Sequence, residues 1–266
     1  PQNSFCDPNT GELYVPGAEK DMERISSFIL NNIKKINKIH VTLDCHHYYD
    51  IAHPGFWRNS EGKNPDAFTI ISHNDIVNGV WFPVFMQLPG ISNSREYVKD
   101  YTLKLEKSGK YPLCIWPPHC LIGTHGNGVY PCLCAALTEW ERVNKNNVDY
   151  VSKGSAITTE HYSAVKAEVP DPNDPSTQLN TRLIKTLMES DAIYIAGEAG
   201  SHCVKNTVED IAEGFGDDSY VKKMILLTDG VSPVISPYVD FPQIQNQFIE
   251  SMRKRGMQVG KTVDII

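Results

Sequence analysis

Short apolar runs alternate along this chain with longer stretches in which apolar residues recur every three or four positions. The first pattern reads as buried strand and the second as amphipathic helix. Over residues 21–36, Met22, Ile25, Phe28, Ile29 and Ile33 share one helical face, and 40–43 follows as a strand. A helix ending over 139–143 leads to a strand at 148–152. Then come a helix at 179–190, a strand at 192–196, a helix at 204–212 and a strand at 224–228. A helix at 243–255 and a last strand at 262–265 complete the order. Such alternation predicts an α/β fold: a parallel sheet with right-handed crossovers and helices on both faces, three layers in a Rossmann-like arrangement.

The rhythm loosens between residues 55 and 112, where Pro, Gly, Asn and Ser break up short runs such as 68–72. One further helix is expected at 97–107. This stretch holds too few apolar residues for a core of its own. It is therefore expected as a long insertion inside a single domain spanning 1–266. Residues 170–175 read as a surface loop. The opening Pro1-Gln2-Asn3-Ser4-Phe5 also reads as loop, so the expected sheet lacks a strand at its front.

Composition narrows the classes. At 266 residues and 41% hydrophobic, the chain can bury one substantial core. A net charge of −7 argues against a nucleic-acid partner, which would need a clustered basic surface. The densest basic stretch, Met252-Arg253-Lys254-Arg255, falls at a helix end, where cations suit the dipole. Seven cysteines show no disulfide-framework spacing, and no apolar run has membrane length. A reduced, soluble, cytoplasmic protein is expected, with no membrane partner. Cys132 and Cys134 are spaced too tightly for a zinc knuckle and read as helix residues.

Four clusters carry candidate chemistry. In Ala196-Gly197-Glu198-Ala199-Gly200-Ser201-His202-Cys203-Val204-Lys205 a strand breaks at glycines and delivers Cys203 to the start of a helix. There, backbone N–H groups favour a thiolate and an oxyanion; alternatively the cysteine fills a strand-to-helix corner. Asp44 and His46 lie two apart at the end of a strand, so they converge on one side, with His53 following. A carboxylate with imidazoles suits zinc, or iron or manganese at higher coordination. A polar loop with capping histidines is the competing reading. In Trp116-Pro117-Pro118-His119-Cys120 the two prolines present His119 rigidly beside a flat apolar wall, which equally fits a buried turn. Lys153-Gly154 follows a strand and faces the same rim, although most lysines so placed are surface charge.

Together these clusters resemble the isochorismatase-like cysteine hydrolases and, within them, the nicotinamidases. The resemblance runs in order through Gln2-Asn3-Ser4-Phe5, Asp44-x-His46 with His53, and Trp116 to Cys120 with Gly123 to Gly126. It continues through Lys153-Gly154 and Tyr162-Ser163 to Gly197 to Val204. It implies an amidohydrolase that cleaves a small aromatic carboxamide, nicotinamide first, through a thioester on Cys203. Ala199 and Cys203 N–H groups would hold the oxyanion, with a cis peptide at Ala199-Gly200. Lys153 would assist the thiol. Asp44, His46 and His119 would bind one divalent ion, zinc first with iron or manganese behind it, and His53 would be a fourth ligand or sit behind the others. Phe5, Trp116, Tyr162 and His202 would line the substrate pocket.

The family's acid–base Asp is expected immediately before Pro1, at the end of a first strand. Ser201 stands where the family commonly has Asp, and the 55–112 insertion is longer than in a compact nicotinamidase. Two alternatives remain: a metal-free relative acting on another amide or on isochorismate, and a non-catalytic metal- or partner-binding relative. A homo-oligomer, by default a dimer, is the expected assembly.

Overall fold

Parallel strands and the helices that cover them organise the computed structural model, which describes residues 1–88, 90–236 and 239–264. In chain order the helices are α1 (Asn3–Cys6), α2 (Ala18–Asn31), α3 (His73–Val77), α4 (Ser94–Ser108), α5 (Pro131–Asn144), α6 (Thr181–Met188), α7 (Lys205–Phe215), α8 (Asp218–Val221) and α9 (Phe241–Lys254). The strands are β1 (His40–Asp44), β2 (Trp57–Arg58), β3 (Ile70–Ile71), β4 (Phe82–Pro83), β5 (Leu113–Cys114), β6 (Asp149–Lys153), β7 (Ile193–Ile195), β8 (Met224–Leu227) and β9 (Gln258–Gly260). β1 pairs parallel with β6 in the register His40↔Asp149 to Asp44↔Lys153. β8 lies between β7 and β9, parallel to both. All four β8 residues are buried, as expected of a strand covered on both faces.

The periodic helices form where their apolar stripes find cover. α2 turns Met22, Ile25, Phe28 and Ile29 inward and packs against α5, which contributes Leu133, Ala136, Leu137 and Trp140. Pro131 opens α5 at a position where its missing N–H costs nothing. A second core gathers α6, α7 and α9 around β7 and β8, through residues such as Leu183, Val208, Leu226 and Phe248.

Three expectations are corrected. Residues 1–5 are not loop: α1 forms there, because its polar side chains are buried tethers. Gln2 Nε2 donates to Asp44 O (2.7 Å), Gln2 Oε1 accepts from Asp44 N (2.7 Å), and Asn3 Nδ2 donates to His125 O (2.8 Å). The final strand is at Gln258–Gly260 rather than 262–265, since the residues directly after α9 take the register beside β8. Thr262 instead bonds Asp229 through N and Oγ1 (both 2.8 Å), and residue 265 lies outside the described residues.

The 55–112 segment also builds more core than its composition suggests. Phe56, Trp57, Ile71, Val98, Tyr101 and Leu105 join a third cluster that runs on through Leu113 into Trp116 and Tyr162. Its strands form two-residue antiparallel pairs, β2 with β4 inside the segment and β3 with β5 just beyond it.

Candidate active site and metal centre

The carboxyl ends of β1, β6 and β7 open into one cleft. Phe5, Asp44, His46, Trp116, His119, Lys153, Tyr162, Ala199, His202 and Cys203 all line it. Of the residues singled out in the sequence, only His53 does not. Parallel register explains part of the convergence: Asp44 and Lys153 are direct partners at the ends of β1 and β6.

Cys203 lies in a wide helical turn, Gly200–Val204, that runs into α7. Lys153 Nζ sits 3.7 Å from Cys203 Sγ, donates to His161 O (2.7 Å) and forms an ion pair with Asp44. The Ala199 backbone also favours the sulfur anion. Burial nevertheless pushes the Cys203 thiol up to about 11 against the pull of Lys153, so the resting nucleophile is a thiol. Burial would discharge Lys153, but the carboxylate of Asp44 outweighs it and holds the ammonium firmly protonated. The cis peptide bond is Glu198–Ala199, one residue before the expected position. Gly197 N and Gly200 N flank it and donate to Gly230 O and Ser232 O (both 2.8 Å).

Beside this pair, ligand atoms of Asp44, His46 and His119 lie within 4.8 Å of one another, all three residues buried. His46 Nε2 is 3.9 Å and His119 Nε2 4.0 Å from Asp44 Oδ2. Both rings are held from behind. His46 Nδ1 donates to Asp50 Oδ2 (3.0 Å), and His119 Nδ1 donates to Pro117 O (2.9 Å). Each bond engages Nδ1 and leaves Nε2 to face the triangle, the arrangement a metal-ligating histidine needs. Against burial, Asp50 raises the His46 imidazole to about 9, so an ion bound there would displace its Nε2 proton. Burial would raise the Asp44 carboxyl, but Lys153, His46 and His119 together hold it at about 2, as a carboxylate. The donor set therefore fits a divalent ion. His53 stands behind the triangle: its Nε2 lies 3.3 Å from His119 Nδ1, and its Nδ1 lies 3.2 Å from His47 O.

Gly154 explains the motif residue after Lys153. Its φ is +78°, and a Cβ there would meet His46 Cε1 at 2.7 Å, so only glycine lets the imidazole lie flat on this turn.

Aromatic rings wall the other side. Trp116 Nε1 donates to Tyr162 Oη (3.1 Å). The His202 ring stacks on Tyr111 at 4.9 Å and meets Phe241 edge-on at 4.5 Å. Ser201 accounts for its departure from the family pattern. Its Oγ accepts from Val234 N (3.1 Å) and lies 2.9 Å from His202 Nδ1, with which it shares a hydrogen bond. Burial, with Lys205 adding to it, drops the His202 imidazole to about 3.

Three cleft-side residues escaped sequence reasoning. Asp50 orients His46 and is anchored by Ala52 N (2.9 Å), a partner four residues downstream in a stretch without strand or helix period. His161 also lines the cleft, its Nδ1 accepting from Gly154 N (3.3 Å). Glu160 lines it too; Oε1 accepts from His161 N (2.8 Å), and Oε2 is buried with no partner among the described residues. Burial and the Asp50 charge raise its carboxyl to about 7. No spacing motif marks Glu160 or His161; only the fold brings them in.

No family model matches the chain. It is 26% identical over 259 residues to a nicotinamidase of Saccharomyces cerevisiae, covering 97% of this chain and 94% of that protein. Among solved structures, the yeast nicotinamidase bound to the inhibitor nicotinaldehyde superposes with a TM-score of 0.63 at 22% identity, covering 98% of this chain and 95% of the other. A Pyrococcus horikoshii pyrazinamidase in complex with zinc gives 0.53 at 18% identity, with 98% and 94% covered. These likenesses span nearly the whole chain.

Proposed function

We infer that this chain is a cysteine amidohydrolase of the nicotinamidase branch of the isochorismatase-like hydrolases, and that it converts nicotinamide to nicotinate and ammonia. One observation carries the reading: a thiol–lysine pair and a two-histidine, one-carboxylate triangle share one aromatic-walled cleft, in a chain similar to a nicotinamidase over nearly its whole length.

Cys203 Sγ attacks the carboxamide carbon, and the proton it gives up leaves with the departing ammonia. The resulting thioester is hydrolysed by water, which regenerates the thiol and releases the acid. Lys153, already an ammonium, stabilises the sulfur anion and does not take its proton. Ala199 N–H, with the backbone N–H of Cys203, supplies the donors for the tetrahedral oxyanion. Trp116, Tyr162 and Phe5 confine a planar ring, and His202 lines its edge. A divalent ion held by Asp44, His46 and His119 would supply a Lewis-acidic point for a ring nitrogen, which sets the ring's orientation. Zinc is the expected occupant, with iron and manganese as competitors for the same donors.

Ammonia release from nicotinamide by purified protein, beside Cys203→Ala, tests the reading. Wild-type turnover with a loss of at least about a thousandfold in Cys203→Ala is the expected result. Metal analysis of chelator-free protein should give one ion per chain, lost in His119→Ala. A protein that turns over nicotinamide equally well without Cys203 would overturn the assignment.

A further inference from the structure

Behind the nucleophile turn lies a polar cluster with no part in the chemistry above. Glu198, directly before Ala199, is buried. Its Oε2 accepts from Ser232 N (3.1 Å), while Oε1 is buried with no hydrogen-bond donor among the described residues. The group beside it is another carboxylate, Asp21 in the first turn of α2. Asp21 already has its donors: Arg24 Nη2 at 2.7 Å and Ser232 Oγ at 2.5 Å.

Ser232 is the hub. Its N–H serves Glu198, its hydroxyl serves Asp21, and its carbonyl accepts from Gly200 N at 2.8 Å, inside the turn that carries Cys203. Gly17, the N-cap of α2, makes room for it: a Cβ there would come within 3.3 Å of Ser232 Oγ.

We infer that Glu198 is a positioning residue that works as a protonated acid, its Oε1–H bonding Asp21 and so fastening the turn under Cys203 to α2 and to the 230–234 segment. A bare oxygen beside an anion, with no donor in reach, is the place where a buried carboxyl keeps its proton. Burial, and then the bond and charge of Asp21, hold Glu198 well above the usual carboxylate range. The other groups around it do not change this. Arg24 on α2 is spent on Asp21 and the Asp229 carbonyl. Asp229 turns its carboxylate to Thr262. Cys6 on α1 is neutral, its thiol raised by burial to about 12.

The inference rests on Cys203 as the nucleophile but not on which amide it attacks, so its test uses no substrate. Two measurements apply to wild type, Glu198→Gln, Glu198→Ala and Asp21→Asn. The infrared difference between wild type and Glu198→Gln should show, at neutral pH, a protonated-carboxyl band that shifts in D2O, separate from the contribution of Glu160, which both proteins share. Asp21→Asn should lose the same band, because an amide donor lets Glu198 ionise. Iodoacetamide labelling of the Cys203 peptide, followed by mass spectrometry across pH, reads the turn. Glu198→Gln keeps the bond and should leave the labelling midpoint unchanged. Glu198→Ala releases the turn and should raise it by about one pH unit, roughly tenfold slower labelling near neutrality. A wild-type-minus-Glu198→Gln difference spectrum that lacks this band overturns the protonated acid. Equal midpoints in all variants overturn the positioning role, and Asp21→Asn keeps the test open if Glu198→Ala does not fold.

Discussion

Two buried imidazoles on the cleft rim, His202 and His161, are each held near pKa 3 by burial, and this sets how the molecule meets acid. Their ordinary value is 6.5, so the unfolded chain binds protons in this range that the native state refuses. Stability is therefore complete above about 6.5 and falls as pH drops from there toward 3, by up to about 1.4 kcal/mol per pH unit for each ring. His202→Phe keeps the aromatic stack and removes one of the two contributions. Its melting temperature should fall less steeply than that of wild type between pH 6 and 4, when scanned in parallel. A second prediction concerns Asp50, which touches no ligand triangle atom but sets the tautomer of His46. Asp50→Asn should weaken metal binding about 10- to 100-fold in a competition titration against a chelating dye, with the fold intact.

Among the elements, the legible ones were those whose period and burial agree. α2, α5, α7, α9 and the strands β1, β6, β7 and β8 all fall within a few residues of their expected places, because each sets one apolar face against a neighbour. The motif residues were legible for the same reason: strand ends and glycine turns fix their direction. α1 was not, since Gln2, Asn3 and Ser4 look like loop until the backbone groups they bind are present. Glu160 and His161 were not either, because they reach the cleft from an irregular stretch with no period to read. The joint between the 55–112 segment and α7 is equally invisible in sequence. There Lys110 Nζ meets the buried Asp210 at 3.0 Å, and Lys166 joins it at 3.1 Å. Lys110→Met should cost about 1–3 kcal/mol in urea unfolding, limited by the lysine that remains.

At the scale of the whole molecule, two of the three apolar clusters line one cleft, and we propose that all three unfold together as one domain covering 1–266. The third cluster matters most for this, since it joins the 55–112 segment to the substrate wall. Trp57 is fully buried within it, its Nε1 donating to Ile51 O (2.6 Å), and the same cluster includes Trp116 and Tyr162. An insertion merely tethered to a finished domain would melt by itself and leave the cleft standing. A segment whose core contains the cleft's own aromatics cannot loosen without moving them. Trp57→Ala, outside the cleft lining but sharing a packed cluster with its wall, should cost about 3–5 kcal/mol. It should also raise KM for nicotinamide more than it lowers kcat, because the ring-binding surface loosens while Lys153 and Cys203 keep their places on β6 and the α7 turn. Calorimetry should show one transition in both proteins, coincident with the loss of activity on heating. Two separated transitions, with activity surviving the first, would make the 55–112 segment an independent unit and break the link between its core and the site.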